Sequence, residues 1–231
     1  MGPNLAIKGA IVFLFAAGAL TAPAAAAAPE QDFEAWATLS ASGALKGPVL
    51  GSLELTARAN DRGTRRPLTV VRSMLGYQAA KNLSLWVGYV RQSSYPEGRL
   101  AVHENRLFQQ VSWNIGKVRG AAIASRTRLE QRTVEGRRDT GWRFRQQLRL
   151  SAPLGKGGPS AVASSEAFFA LNSTDFGSVA GLDQWRNFAG LNVPLSKQVS
   201  IETGYLNRYI RRRAARDRMD HVVPVTVALR F

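Results

Sequence analysis

The chain has 231 residues, with 31 Lys and Arg against 16 Asp and Glu, a formal net charge of +15, two histidines and no cysteine. Without cysteine, disulfides, thiolate zinc sites, iron–sulfur clusters and cysteine nucleophiles are excluded, and two histidines cannot form a three-histidine metal site. We therefore predict no cofactor and no metal site.

The N-terminus has the three parts of a secretory signal peptide. Residues 1–8 carry one positive charge, residues 9–20 are apolar, and residues 21–28 end in an alanine tract. The apolar run is shorter than the about 20 residues that a transmembrane helix requires. We predict a cleaved signal peptide at residues 1–28 and a single domain at residues 29–231. An uncleaved helical anchor is the alternative.

Alternation with a period of two residues dominates the rest of the chain. In residues 121–132 the even positions are mostly charged and the odd positions mostly apolar, and residues 142–150 repeat the pattern. Successive side chains of a strand point to opposite faces, so the pattern predicts β-strands with one polar and one apolar face. The predicted strands are residues 32–41, 49–59, 67–79, 82–93, 102–115, 117–134, 140–152, 160–172, 181–194, 197–212 and 218–231.

Short and long connections alternate along these strands, as they do in outer-membrane barrels with periplasmic turns and extracellular loops. The short ones include residues 114–117, and the long ones are charged. The soluble alternative is a periplasmic β-sandwich or a lipocalin-like barrel. The length of the strands and the many charges on the polar face favour a membrane. We predict an all-β fold, a transmembrane antiparallel up-and-down β-barrel of about 10–12 strands.

Strand number follows from the direction of the strands. If residue 231 ends on the periplasmic side, ten strands from residue 49 onward return the chain to the periplasm, and residues 32–41 make an eleventh. Bacterial single-chain barrels have even counts. We therefore expect that residues 32–41 lie outside the barrel or that another strand is hidden, with residues 117–134 as the place to look.

The polar face is predicted to line the lumen. Arginine and glutamate alternate along it, so a salt-bridged lumen that stiffens the barrel is one interpretation, and a selectivity surface for small anions is the other. The residues that strand parity assigns to the lumen are Glu54, Arg58, Arg72, Glu104, Arg106, Arg126, Arg128, Glu130, Arg143, Arg145, Arg149, Glu166, Arg186 and Glu202.

Several segments together resemble a known family. They are residues 85–89 (Leu-Trp-Val-Gly-Tyr), 126–132 (Arg-Thr-Arg-Leu-Glu-Gln-Arg), 144–149 (Phe-Arg-Gln-Gln-Leu-Arg) and 202–207 (Glu-Thr-Gly-Tyr-Leu-Asn). The chain resembles the domain of unknown function 2490 family of bacterial outer-membrane β-barrels across nearly the whole mature region. The resemblance implies this fold and this location, and it implies no activity.

The ends of the barrel suggest its partners. Phe231 closes an alternating strand and resembles the signal that outer-membrane barrels present to their assembly machinery. Basic residues lie in the long loops, where phosphorylated lipopolysaccharide headgroups could bind them. We predict these membrane partners, no nucleic acid and a monomer. The loop residues are Arg65, Arg66, Arg137, Arg138, Arg211, Arg212 and Arg213.

Two functions remain open from the sequence. The first is a porin-like narrow channel, passing small anionic solutes, or a structural barrel of the outer membrane. The second is an outer-membrane lipid-modifying hydrolase, for which only His103 and His221 could serve as the base. No serine can be placed beside either histidine from the sequence, so we expect that the protein is not an enzyme.

Overall fold

A computed structural model describes residues 28–60, 67–96, 99–212 and 215–231. These ranges contain eleven strands and no helix, and hence no helix that could cross a membrane. Residues 1–27 of the predicted signal peptide lie outside the described residues.

Each strand is a run of alternating inward and outward side chains, as the period of two predicts. The strands are β1 Glu30–Lys46, β2 Val49–Asn60, β3 Leu68–Ala80, β4 Leu83–Ser94, β5 Val102–Val118, β6 Ala121–Val134, β7 Gly141–Pro153, β8 Ser160–Ala170, β9 Gly181–Pro194, β10 Val199–Ile210 and β11 Arg218–Arg230.

The strands form one closed barrel, which confirms the predicted all-β barrel and the predicted number of about 10–12 strands. Consecutive strands pair antiparallel, and β1 closes the barrel by pairing with β11 in parallel. The expected even count is wrong, because residues 32–41 belong to β1 and no strand is hidden within the described residues. No turn joins β1 to β11, so no connection forces these two strands to be antiparallel.

The parallel closure determines where β1 begins. β11 follows the long connection after β10 and runs toward the short turns, and β1 runs the same way, with Glu30 opposite Arg218 and Ser42 opposite Arg230. The first residues of β1 therefore lie at the rim that carries the long connections. Phe231 lies at the other rim, where its amide hydrogen-bonds to the carbonyl of Ser42 at 3.2 Å.

One predicted turn is wrong. The chain does not turn at residues 114–117, where the register shifts between Asn114 and Gly116 to form a bulge within the β5–β6 ladder. The turn comes at Arg119 and Gly120, which have φ angles of 50° and 86°. Two successive positive φ angles are typical of the tight turns that match the twist of a hairpin. Gly116 was interpreted as part of a turn because glycine is common in turns, but in the structure it forms part of the bulge.

The barrel has its apolar face outside and its charged face inside. Leu53 and Val87 are more than half exposed on the outer wall, whereas Arg128 and Glu130 are almost fully buried in the interior. A small apolar cluster that includes Phe108 is the only hydrophobic core cluster in the part of the chain that is described. The interior is therefore held together mainly by charged side chains.

Two glycines of β9 and β10 occupy positions that leave no room for a Cβ atom. Gly190 and Gly204 are directly opposite each other in the ladder. A Cβ atom on Gly190 would lie 2.2 Å from the carbonyl oxygen of Thr203, and one on Gly204 would lie 2.2 Å from that of Ala189. Both clashes are with backbone atoms, so a larger residue at either position requires the strands to move.

Candidate functional site: the charged lumen

The structure places the side chains that parity assigned to the lumen in the barrel interior. Most line one of two cavities, whereas Arg128 and Glu130 are buried and line neither cavity. Interior placement follows from alternation, because every second side chain of a barrel strand points inward. Whether these residues act on a solute remains a prediction.

Glu130 is the centre of the most buried ion-pair cluster. Its carboxylate accepts hydrogen bonds from Arg143 and Arg145, each at 2.6 Å, and lies 3.4 Å from Arg128. Its exposed fraction is 0%. Three guanidinium groups thus share one carboxylate, and Arg128 completes its bonding with the amide oxygen of Gln110 at 2.9 Å.

Arg145 connects this cluster to a second carboxylate. It donates to Glu166 at 2.8 Å, and Arg126 also donates to Glu166 at 3.0 Å. The buried ring of Phe168 lies beneath this group, 4.2 Å from the guanidinium carbon of Arg145 and 4.4 Å from that of Arg186. The negative face of the ring attracts the guanidinium cations, so it stabilises them in addition to the carboxylates, which are fewer than the arginines.

Several lumen residues were missed by the sequence analysis. Glu34 lies on β1, which was expected to lie outside the barrel unless another strand was hidden. It pairs with Arg208 at 2.7 Å and with Arg218 at 3.3 Å. Asp220 is fully buried, and Arg208 donates to it at 2.6 Å. No residue of β1 or β11 had been assigned to the lumen. Asp220 has the parity opposite to the apolar residues Val223 and Val225 of the same strand, so alternation extended to the start of β11 could have identified it.

Asp183 could not have been identified by parity. The register between β8 and β9 shifts at Phe168 and Phe169, which disturbs the alternation beside Asp183. Its carboxylate lies 3.2 Å from Arg143. Arg132, in contrast, lies on the charged face of β6 and pairs with Glu104 at 2.5 Å.

Two cavities occupy the lumen, one above the other. The loop-side cavity, of about 350 Å³, is lined by seven arginines and two glutamates. The turn-side cavity, of about 220 Å³, is lined by six arginines and three glutamates. Arg58 and Arg186 are the residues that line both cavities. Both spaces therefore carry excess positive charge, and two arginines stand between them.

Asp32, Glu34 and Asp220 are close enough to hold a cation, with ligand atoms within 4.8 Å of one another. Arg208 and Arg218, however, already bind oxygens of these carboxylates. The arrangement fits an ion-pair cluster, because guanidinium groups occupy the positions a metal ion would take.

The two histidines lie on the outer wall near the loop rim. His221 Nδ1 is 2.5 Å from the Tyr205 hydroxyl, and its ring stacks on Phe33 at 5.1 Å. His103 Nδ1 lies 2.8 Å from the Ser93 hydroxyl on the neighbouring strand. A serine is therefore paired with His103, which the sequence alone could not show.

The basic loop residues are only partly described, since Arg65, Arg66 and Arg213 lie outside the described residues. Arg137 and Arg138 are exposed, and the amide of Arg138 donates to Asp175 at 3.1 Å. Arg211 is exposed as well.

Asp217 organises the last long connection. Its partial burial raises the pKa, but hydrogen bonds from the Tyr209 hydroxyl and the Arg212 amide, with the charges of Arg211 and Arg212, outweigh burial and hold the pKa of Asp217 below its ordinary value. Arg212 also pairs with Glu30 at 2.7 Å. Part of the basic charge at this rim is therefore used within the protein.

Comparison with known proteins gives the family. The sequence profile described as "Protein of unknown function (DUF2490)" matches residues 33–220. The chain belongs to this family. The DUF2490 match begins within β1 and ends at the third residue of β11, so it covers β2 to β10 completely and most of β1. An uncharacterized protein of Methylorubrum extorquens is 35% identical over 213 residues, which is 91% of this chain and 93% of the relative. No solved structure matches the sequence.

Proposed function

We propose that this DUF2490 barrel resides in the bacterial outer membrane and provides a narrow, anion-selective path through its lumen. Its apolar outer wall supports a lipid environment. The side chains of Leu39, Leu75 and Val87 are each between 58% and 59% exposed on that wall. In water such a band would be an unusually large apolar surface, whereas a bilayer covers it.

The observation that carries the anion preference is the excess of arginine around both cavities. Each glutamate of the loop-side cavity is shared by two arginines: Glu34 by Arg208 and Arg218, and Glu104 by Arg106 and Arg132. Positive charge lining a narrow space raises the local concentration of anions and repels cations. Only small solutes fit, because the cavities are small and Arg58 and Arg186 lie between them.

The proposed orientation of the barrel in the membrane determines which partner meets each rim. The rim with the long connections faces outward, where exposed arginines such as Arg137 and Arg138 meet lipopolysaccharide phosphates. The rim with Phe231 faces the periplasm, where the assembly machinery reads the last strand. The barrel acts as a monomer.

The test is ion selectivity of the refolded protein in a planar bilayer under a potassium chloride gradient. We expect a reversal potential that indicates anion preference. Replacing both Arg58 and Arg186 by Gln should move it toward the non-selective value. The matched control is Arg91→Gln, which removes an arginine from the outer wall, where Arg91 pairs with Glu135 at 3.0 Å. Cation preference, or no conductance from folded protein, would reject the channel.

A second candidate function rests on the Ser93–His103 pair. A serine hydroxyl 2.8 Å from a histidine nitrogen is the arrangement of an activated nucleophile. The pair lies on the outer wall near the loop rim, within reach of a lipid ester. Among the described residues, no acidic group hydrogen-bonds to the other ring nitrogen of His103, so the pair lacks the orienting third member of a triad.

The hydrolase is tested by release of fatty acid from phospholipid vesicles or from lipopolysaccharide. Activity that is lost in both Ser93→Ala and His103→Ala, and kept in His221→Ala, would establish it. Because His221 hydrogen-bonds to Tyr205 and Gln31 and to no serine among the described residues, it is the matched control. Absence of release from the folded parent protein would eliminate this candidate.

A further inference from the structure

Three guanidinium groups surround the ring of Trp36 at the junction of the two cavities. The guanidinium carbons of Arg58, Arg208 and Arg186 lie 4.0, 5.1 and 5.5 Å from the ring centroid. Three positive charges around one ring are therefore close neighbours. Like charges at such separations repel each other strongly inside a protein, where water screens them poorly.

These three arginines differ in how they are neutralised. Arg208 is paired with Glu34 and Asp220. Arg58 and Arg186 form no ion pair with any residue in the described ranges, and Arg186 has only the amide oxygen of Gln184, at 2.9 Å. The Nε atoms of both are buried without a hydrogen-bond partner; the same is true of Arg72 and Arg126, but those two have carboxylate partners at their other nitrogens. Two cations thus lack anionic partners among the described residues of the interior.

The other arginines of the lumen are each paired with a carboxylate. Arg72 has Glu54 at 2.7 Å, and Arg126 has Glu166 at 3.0 Å. Burying a charge without a partner costs considerable free energy, so buried cations are normally paired. The pair Arg58 and Arg186 is the exception within the described lumen, and it borders open space on both sides.

We infer that Arg58 and Arg186 bind a small, water-soluble oxyanion with two negative charges, of the phosphate or sulfate class. This inference rests on the proposed anion-accepting lumen and names the class of anion that it takes. Two unpaired guanidinium groups match two charges, and guanidinium forks bind tetrahedral oxyanions through paired hydrogen bonds. A volume of about 350 Å³ on the loop side is sufficient for phosphate or a small phosphate ester. Arg186 over Phe168 and Arg58 over Trp36 are pre-positioned by ring contacts, so little ordering is needed on binding.

The experiment is isothermal titration of the refolded protein with sodium sulfate, with inorganic phosphate as the second probe and total ionic strength held constant with sodium chloride. Sulfate carries two charges over the whole working pH range. We expect saturable binding of one anion per barrel, and at least about tenfold weaker binding in Arg58→Gln and in Arg186→Gln, since each change removes a charge-assisted hydrogen bond. The control, Arg91→Gln, should bind as the parent protein does.

Stability gives an independent readout. Sulfate stabilises folded proteins generally through exclusion from their surface. An anion that also binds only the folded barrel adds to this effect, so the urea midpoint should rise more in the parent protein than in the double variant of Arg58 and Arg186. The variants are expected to fold, because neither change removes a partner from a carboxylate. No saturable binding to the folded parent, or equal affinity in the parent and both variants, would overturn the inference.

The result also separates this site from the proposed channel. Anion-selective conductance without saturable sulfate binding rejects the site and leaves the channel. Saturable binding that depends on Arg58 and Arg186, in a barrel that does not conduct, establishes the site and rejects the channel.

Discussion

Arg208 on β10 donates to Glu34 on β1 at 2.7 Å, and the bond passes across the intervening strand β11. Arg218, on β11 itself, lies 3.3 Å from the same glutamate. Because no turn connects β1 and β11, the register of this parallel pair must come from contacts between side chains and from the ladder. Glu34 therefore has a structural role at the closing seam.

Replacing Glu34 by Ala should destabilise the barrel by about 3 kcal/mol, since it leaves Arg208 and Arg218 with fewer partners in the interior. Urea unfolding in detergent, followed by tryptophan fluorescence, measures the loss. Glu135→Ala is the control, because the Arg91–Glu135 pair is 42% and 50% exposed and should contribute less than about 1 kcal/mol. Equal losses in the two variants would contradict a role for the seam pair.

Glu130 should be the most sensitive carboxylate of the lumen. In Glu130→Ala, three arginines lose their shared anion, and we expect a loss of about 3–5 kcal/mol or failure to refold. Glu202→Ala should cost less, because Glu202 and its partner Arg149 are 23% and 34% exposed and water can replace the contact. A Glu202 variant that is as unstable as the Glu130 variant would show that burial does not control these pairs.

Gly190→Ala and Gly204→Ala should each destabilise the barrel by about 1–3 kcal/mol, the usual range for overpacking. The added methyl group meets a backbone carbonyl oxygen of the adjacent strand, which no side-chain rotation relieves. Gly155→Ala is the comparison, since a Cβ atom there meets nothing within 4 Å. If the temperature of unfolding is unchanged in both Gly190→Ala and Gly204→Ala, the strands accommodate the methyl group without loss of stability, and the prediction is wrong.

Phe231→Ala should lower the amount of heat-modifiable barrel in the outer membrane of expressing cells. Phe231 is 57% exposed, so removal of its ring should change the stability of the folded barrel little. Leu195→Ala, at a residue 60% exposed in a short turn, is the matched control. If Phe231→Ala also refolds in detergent less well than the parent protein, by as much as its level falls in cells, the effect is due to stability and not to recognition by the assembly machinery.

Alternation predicted the fold because a barrel wall has an inner and an outer face, and successive side chains of every strand point alternately to these two faces. The parity of residues such as Arg126 and Glu166 was sufficient to place them inside, whatever their partners. The ends of the strands were predicted less accurately. For example, β1 extends to Lys46, five residues beyond its predicted end at residue 41. Small residues around Gly43 weaken the hydrophobic alternation there, and the C-terminal Phe231 packs against that glycine.

What the sequence could not supply depends on relationships between distant strands. The parallel closure has no local signal, since it joins the first strand to the last. The partners of Arg145 come from β6 and β8, and thus depend on register as well as parity. The absence of an anionic partner for Arg58 and Arg186 appears only once all the carboxylates within the described lumen have been assigned.

The parallel closure separates the two ends of the barrel domain in space. Because β1 and β11 run in the same direction, chain ahead of Glu30 leaves at the rim with the long connections, and chain beyond Phe231 leaves at the opposite rim. A strand of 13 residues spans roughly 40 Å. A protease-sensitive tag placed before Glu30 and one placed after Phe231 therefore lie at opposite rims, and they sample different compartments if the barrel spans a membrane as proposed. No short linker can join the ends into a circular permutant.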